Sequence, residues 1–284
     1  MEPDRSIDLP QGPIRYRDTG SGQAIVFIHG LLVDGTLWRK VIPHLSDSFR
    51  CIVPDWPLGS HRASLSDGAD RSPRGIAHLV ADFLAQLELE NVTVVANDTG
   101  GAIAQLLATE RPERLGRLVL TPCDAYENFL PPAFKPMQWL ARVPGAATLA
   151  LQPMRSALIR RSPLGFGLLS KRPIPNEITA RWMAPALADR AIRRDVLGLL
   201  RGIDARDTLA AAEKLRSFDR PTLIAWAPED LFFKLRFAEA LAQTIPDCRL
   251  ELIHDSRAFV PEDQPERLAE LIAQFMQTTE AGAA

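Results

Sequence analysis

Residues 92–102 read Val92-Thr93-Val94-Val95-Ala96-Asn97-Asp98-Thr99-Gly100-Gly101-Ala102. The β-branched run has the texture of a buried parallel strand, and Ala102 to Thr109 that of a helix. Only Asn97 to Gly101 separate the two, too few residues for a relaxed loop. The chain must therefore turn sharply at the carboxyl end of the strand and lift one side chain above a helix N-terminus. Ala96, Gly100 and Gly101 are small enough to let the two backbones approach closely. The side chain lifted is that of Asp98.

Elements of the same alternating kind lie on both sides. Ile7 to Leu9 and Ile14 to Arg17 read as a hairpin, and Ala24 to Ile28 as a short strand running into His29-Gly30-Leu31-Leu32. Leu37 to Leu45 reads as a helix and Cys51 to Val53 as a strand. Ser72-Pro73 opens a helix through Leu87 with Ile76, Leu79, Val80, Phe83 and Leu87 on one face. Further strands are expected at Leu118 to Leu120, Thr222 to Trp226 and Arg249 to Ile253. Asp263 with Glu266 has capping-box spacing before a closing helix, and Thr278 to Ala284 reads as a short tail. Strands alternating with helices predict an α/β fold with a doubly wound, mostly parallel sheet, and place the site at the strands' carboxyl ends.

Between Phe129 and Ala205 the texture changes: prolines are frequent, no strand is evident, and Met137 to Ala141, Ala146 to Ile159 and Ile178 to Leu187 look helical. The expected division is a core of 1–128 and 206–284 with an inserted helical cap over 129–205. The insertion carries 12 Lys or Arg against 4 Asp or Glu. A solvated Arg-rich surface accounts for this more simply than steering of an anionic substrate.

Composition narrows the function classes. The net charge of −2 gives no reason to expect nucleic acid. Cys51, Cys123 and Cys248 are odd in number and widely spaced, which disfavours a disulfide framework or a zinc site and makes a reduced, cytoplasmic setting the expectation. Met1 to Arg5 lack the pattern of a signal peptide. No apolar run approaches the ~20 residues of a membrane span, so no membrane partner is expected. Neither a metal cluster, a phosphate-binding glycine loop nor a flavin motif appears, so no cofactor is expected. The partner expected is a small-molecule substrate; oligomeric state is not legible.

The turn at Asp98 resembles the nucleophile elbow G-x-S-x-G, with aspartate in place of serine. Together with His29-Gly30 after an early strand, Asp230 after a late one and a closing helix, it makes nearly the whole chain similar to the α/β-hydrolase superfamily. Within it, the resemblance is to the aspartate-nucleophile branch of haloalkane dehalogenases and epoxide hydrolases. It implies that Asp98, held ionised by a helix N-terminus, attacks an electrophilic carbon and forms an ester. Backbone N–H groups of the His29-Gly30-Leu31 loop and of Thr99 would form the oxyanion hole. Asp230, or alternatively Asp124, would orient a histidine that activates water.

That histidine departs from the pattern. The family's Asp-x-Gly-His-Phe is here Asp255-Ser256-Arg257-Ala258-Phe259, so Ala258 stands in the histidine's register. His254, four residues earlier, is the substitute to consider; His61, His44 and His78 are weaker. The halide-holding side chains of the dehalogenases correspond to Leu31 and Thr99, neither with an indole or amide. Of the two tyrosines, Tyr126 is near enough to the cap to protonate an opening ring, and Trp38, Trp139 and Trp182 are candidates for the pocket wall. The leading expectation is an α/β-hydrolase-fold enzyme acting on a small, mostly apolar molecule through Asp98. The alternatives are a lyase, isomerase or cyclase using Asp98 as general acid or base, and a ligand-binding relative without chemistry.

Overall fold

The computed structural model describes residues 4–281; Met1 to Pro3 and residues 282–284 of the expected tail lie outside them. Eight strands form one sheet: β1 (Arg5–Leu9), β2 (Gly12–Thr19), β3 (Ala24–Ile28), β4 (Arg50–Pro54), β5 (Val92–Asp98), β6 (Leu115–Cys123), β7 (Thr222–Trp226) and β8 (Cys248–Leu252). Their order is β1-β2-β4-β3-β5-β6-β7-β8. The pairs β1/β2 and β2/β4 are antiparallel and the rest parallel. The doubly wound, mostly parallel sheet expected from the sequence is therefore present. Its central strands are buried on both faces, hence their near-continuous runs of Val, Ile and Leu.

The helices are α1 (Pro73–Gln86), α2 (Thr99–Glu110), α3 (Lys135–Leu140), α4 (Ala146–Leu151), α5 (Ala157–Arg161), α6 (Asn176–Ala188), α7 (Arg190–Gly202), α8 (Ala205–Leu215), α9 (Leu235–Thr244), α10 (Val260–Asp263) and α11 (Pro265–Ala281). Helix α1 starts where its signals put it: Ser72 Oγ accepts from the Gly75 N–H at 3.1 Å and Pro73 follows. Helices α3 to α7 all fall between β6 and β7.

Three local expectations are corrected. Leu37 to Leu45 is not one helix but two 3-10 turns, Gly35–Trp38 and Ile42–His44; Pro43, at the start of the second, has no N–H with which to continue a single α-helix. The run Ala146 to Ile159 breaks at Pro153 for the same reason, leaving α4, a 3-10 turn and α5. Asp263 caps no helix. Its carboxylate accepts from the N–H groups of Lys171, Arg172 and Arg257 at 2.9–3.0 Å and from Ser170 Oγ at 2.6 Å. It thus ties the segment before α6 to the loop after β8.

Candidate active site

The sheet register assembles the site. Ile28 of β3 pairs with Ala96 of β5, and Asp98 with Cys123 of β6, so Leu31, Asp98 and Asp124 emerge side by side at the carboxyl edge. Asp98 has φ 57° and ψ −134°, a conformation that costs a residue with a Cβ about 1–3 kcal/mol and that persists where neighbours enforce it. They do so closely here. A Cβ on Gly30 would collide with the Asp98 carboxylate, and one on Gly100 would lie 2.5 Å from the His29 carbonyl oxygen.

Asp98 Oδ1 accepts two backbone hydrogen bonds, from the Thr99 N–H at 2.7 Å and the Leu31 N–H at 3.1 Å. These are the two amides for which the family resemblance implied an oxyanion-hole role, each brought there by a strand end. The carboxyl also lines a cavity of about 280 Å³, walled by Leu31, Leu130, Phe134, Met137, Phe166, Leu169, Phe232 and Phe233 among others. Burial pushes its pKa up, against the downward pull of the two N–H donors. Net elevation departs from the sequence expectation of a carboxylate held simply ionised. The donors are where they were expected, but the apolar walls outweigh them.

Two further carboxyls stand nearby. Asp124 is fully buried, with Oδ2 3.3 Å from Thr99 Oγ1 and Oδ1 without a partner; burial, then the charge of Asp98, raises its pKa well above the usual value. Asp230 Oδ1 accepts from the Phe232 N–H at 2.7 Å and from the Phe233 N–H. Its Oδ2 is buried and unpartnered. Burial raises its pKa to about 6, opposed by those N–H groups. Among the described residues, no Lys, Arg or His lines this cavity; the charge of Lys234 pulls the Asp230 pKa down, but less than burial raises it.

Because the folded pKa of Asp230 exceeds the ordinary 3.8, the native state holds a proton that the unfolded chain has lost. Its stabilising share is whole below about pH 4 and disappears as pH rises through 6. Asp230→Asn, whose Oδ1 can still accept both N–H groups, is expected to flatten the fall of Tm between pH 4 and 7. Thermal melts at half-unit pH steps measure this, and an unchanged slope would contradict it.

The histidines are all elsewhere. His254 is exposed at the end of β8 and lines no cavity with Asp98, so it does not substitute for a base in this geometry. His29 is buried: its Nε2 accepts from the Trp56 N–H at 2.9 Å, its Nδ1 lies 3.0 Å from the Gly30 carbonyl oxygen, and burial lowers its pKa to about 4. It braces the loop that presents Leu31. His61 is buried against Asp195, His78 pairs with Glu110, and His44 lies 4.0 Å from Glu266. Ala258 is fully buried, its carbonyl accepting from Asn97 Nδ2 at 2.7 Å, while the next N–H, of Phe259, is given to Leu169.

The aromatic candidates also fall away from the cavity. Trp38 is core, packed on Phe27. Trp139 is 64% exposed. Tyr126 spends its hydroxyl on Thr244 Oγ1 at 2.8 Å. Trp182 is buried behind the wall, its ring edge-on to Phe166 and its Nε1 donating to Thr36 Oγ1 at 2.8 Å and Asp34 Oδ1 at 3.1 Å. The aromatics that do line the site are Phe134, Phe166, Phe232 and Phe233. For Phe232 and Phe233 the one sequence signal is their place two and three residues after Asp230.

Comparison with known proteins agrees with this geometry. The model of the alpha/beta hydrolase fold matches residues 23–265. Haloalkane dehalogenase 2 of Mycobacterium tuberculosis is 28% identical over 280 residues, 94% of this chain and 93% of that protein. A cis-3-alkyl-4-alkyloxetan-2-one decarboxylase of Xanthomonas campestris pv. campestris is 28% identical over 298 residues, 96% and 95% of the two chains. The crystal structure of haloalkane dehalogenase DbeA from Bradyrhizobium elkani superposes with a TM-score of 0.80 at 21% identity, covering 98% of both chains. With an elbow aspartate on the central strand and a family model matching residues 23–265, the chain belongs to the α/β-hydrolase fold family.

Proposed function

We propose that this protein is an enzyme in which Asp98 acts as a nucleophile toward a small, mostly apolar electrophile, with helices α3 to α7 as the cap over the reaction chamber. The observation that carries this reading is the asymmetry of the Asp98 carboxyl. Oδ1 is pinned by two amides, while the group as a whole forms part of an apolar cavity wall. Attack by Oδ2 on an sp³ carbon forms a carbon–oxygen ester bond and expels the leaving group with its electron pair; the same two amides then face the ester oxygen. Hydrolysis of that ester needs a base to deprotonate water, and among the described residues no histidine lines the chamber. With 1-bromohexane or a terminal epoxide the adduct is expected to form once per chain and persist. Intact-mass and peptide mass spectrometry should find it on Asp98; a chain unmodified by every such electrophile would overturn the reading.

A non-hydrolytic outcome is favoured by that same lack of a base, and by similarity to a protein named as an oxetanone decarboxylase. On a 3,4-dialkyl β-lactone, Asp98 attack at C4 breaks the ring C–O bond and leaves a free carboxylate. Loss of CO₂ supplies the pair for the C3–C4 double bond and expels Asp98 as carboxylate. No water and no proton are consumed, so no histidine is required. Alkene and CO₂ released over many turnovers, with no solvent ¹⁸O in Asp98, is the expected result; β-hydroxy acid containing solvent oxygen would contradict it.

A further inference from the structure

Behind the Asp98 chamber lies a second one of about 310 Å³, lined by apolar side chains and sharing Leu32, Met137, Met154 and Leu164 with the first. Its outer wall is built from the short helices α3 to α5. Those helices and their connections carry the five most exposed large apolar side chains among the described residues: Trp139 (64%), Val143, Leu149, Leu158 and Leu164 (82%). Leu164 lines both chambers, and Trp139, Leu149 and Leu158 each adjoin in sequence a residue that lines the second (Leu140, Ala150 and Ile159). A water-facing helix ordinarily turns polar residues outward. Here the wall is apolar on both sides.

Charge on this wall is equally one-sided. From Asn128 to Asn176 the chain has seven Lys or Arg and no Asp or Glu. Arg160 is committed internally to Thr179, Asn176 and two carbonyls, and Lys171 and Arg172 pair with Glu229 and Asp255. The other four, Lys135, Arg142, Arg155 and Arg161, are exposed and make no salt bridge among the described residues. Exposed Trp and Leu interspersed with free cations, and no anion, is the surface of a segment that lies in a lipid headgroup layer. A protein partner would equally cover apolar side chains, but it would not account for the exclusion of every acid over that stretch.

We infer that the α3–α5 face docks on an anionic lipid surface, with Trp139, Leu149 and Leu158 inserted among the headgroups and the four free cations on the phosphates. The second chamber then opens at acyl-chain depth and receives an alkyl chain directly from the bilayer. This is attachment, not spanning: no helix among the described residues is long and apolar enough to cross a membrane. It departs from the sequence expectation of no membrane partner, which weighed only membrane-crossing runs. Docking does not depend on Asp98 being a nucleophile and is tested without any reaction.

The probe is the full chain mixed with vesicles of phosphatidylcholine alone or with 30% phosphatidylglycerol. Sedimentation with the anionic vesicles is expected to be at least 10-fold tighter than with neutral ones and to weaken as salt rises from 50 to 500 mM. Trp38, Trp56, Trp182 and Trp226 are fully buried, so a blue shift of emission on adding vesicles reports Trp139 and should vanish in Trp139→Phe. Arg142→Glu with Arg161→Glu is expected to lower binding at least 10-fold, with far-ultraviolet circular dichroism unchanged because both side chains are exposed. Failure of the folded protein to bind anionic vesicles at 50 mM salt overturns the proposal. So does self-association that Trp139→Gln with Leu158→Gln abolishes, which would assign the face to a second copy of the chain.

Discussion

Asp98→Asn is expected to reduce adduct formation with 1-bromohexane at least about 10³-fold, because an amide has no anionic oxygen to attack carbon. The substitution is a clean one. Asn Oδ1 can keep both hydrogen bonds, from Thr99 and Leu31, and asparagine tolerates the positive φ of 57° at this position. Stability should not suffer. Burial raises the Asp98 pKa, so whatever this group contributes is present below the unfolded pKa and lost as pH rises through the folded one. At pH 8 the variant is therefore expected to melt at or above the wild-type temperature. Rate by mass spectrometry and Tm by calorimetry test the two halves separately. Retained modification in a stable Asn variant would remove Asp98 from the chemistry.

The wider electrostatics explain why one carboxyl should differ from its neighbours. Asp98, Asp124 and Asp230 share one end of the sheet without a cation on the cavity wall. Asp124 is the most deeply desolvated and also feels Asp98, so it gives up its charge first. Asp98 lines the cavity and holds two N–H donors on one oxygen, which oppose the effect of its burial. A histidinium in this site would have lowered all three. Without one, burial raises all three.

The carboxyl edge of the sheet was legible because it is written in local sequence. Apolar runs before His29 and Asp98 marked two strand ends and the short span Asn97 to Gly101 the sharp turn, while the strand expected at Leu118 to Leu120 runs on to Cys123. What sequence did not disclose depends on distant partners. Asp263 sits three before Glu266, as a cap should, yet the N–H groups of residues 171, 172 and 257 compete for its carboxylate and win. His254 has the right residue type, but it follows Ile253, which pairs with Trp226 and leaves the imidazole outside. Trp182 has the size of a pocket residue and is instead drawn behind the wall by Asp34 and Thr36. The cavity itself is made by loops after β6, β7 and α5, whose meeting no periodicity encodes.

Helix α7 is held to the segment before α1 by buried charge, and breaking that is expected to cost more stability than any change in the cavity. Asp195 of α7 is fully buried; its Oδ1 accepts from Arg71 Nε at 2.7 Å, and its Oδ2 from the Leu65 N–H at 2.7 Å, with His61 Nε2 3.2 Å away. Burial alone would raise its pKa, but His61, Arg71 and the Leu65 N–H together bring it below the ordinary value. A depressed carboxyl stabilises above its unfolded pKa, and that contribution is lost as pH falls through the folded one. Asp195→Ala leaves the Arg71 charge and the Leu65 N–H unpaired, which should cost about 3–5 kcal/mol and lower Tm by roughly 10 °C at pH 7. Arg194→Ala, which removes a solvent-side partner of the same carboxylate, should cost under about 1 kcal/mol. The consequence reaches the chambers, since Val196, Leu197 and Leu200 on the same helix wall the second one. Amide exchange over residues 190–202 should accelerate in Asp195→Ala while β3 and β5 stay protected. A variant melting within 2 °C of wild type would show that packing of α7, rather than this carboxylate, secures the insertion.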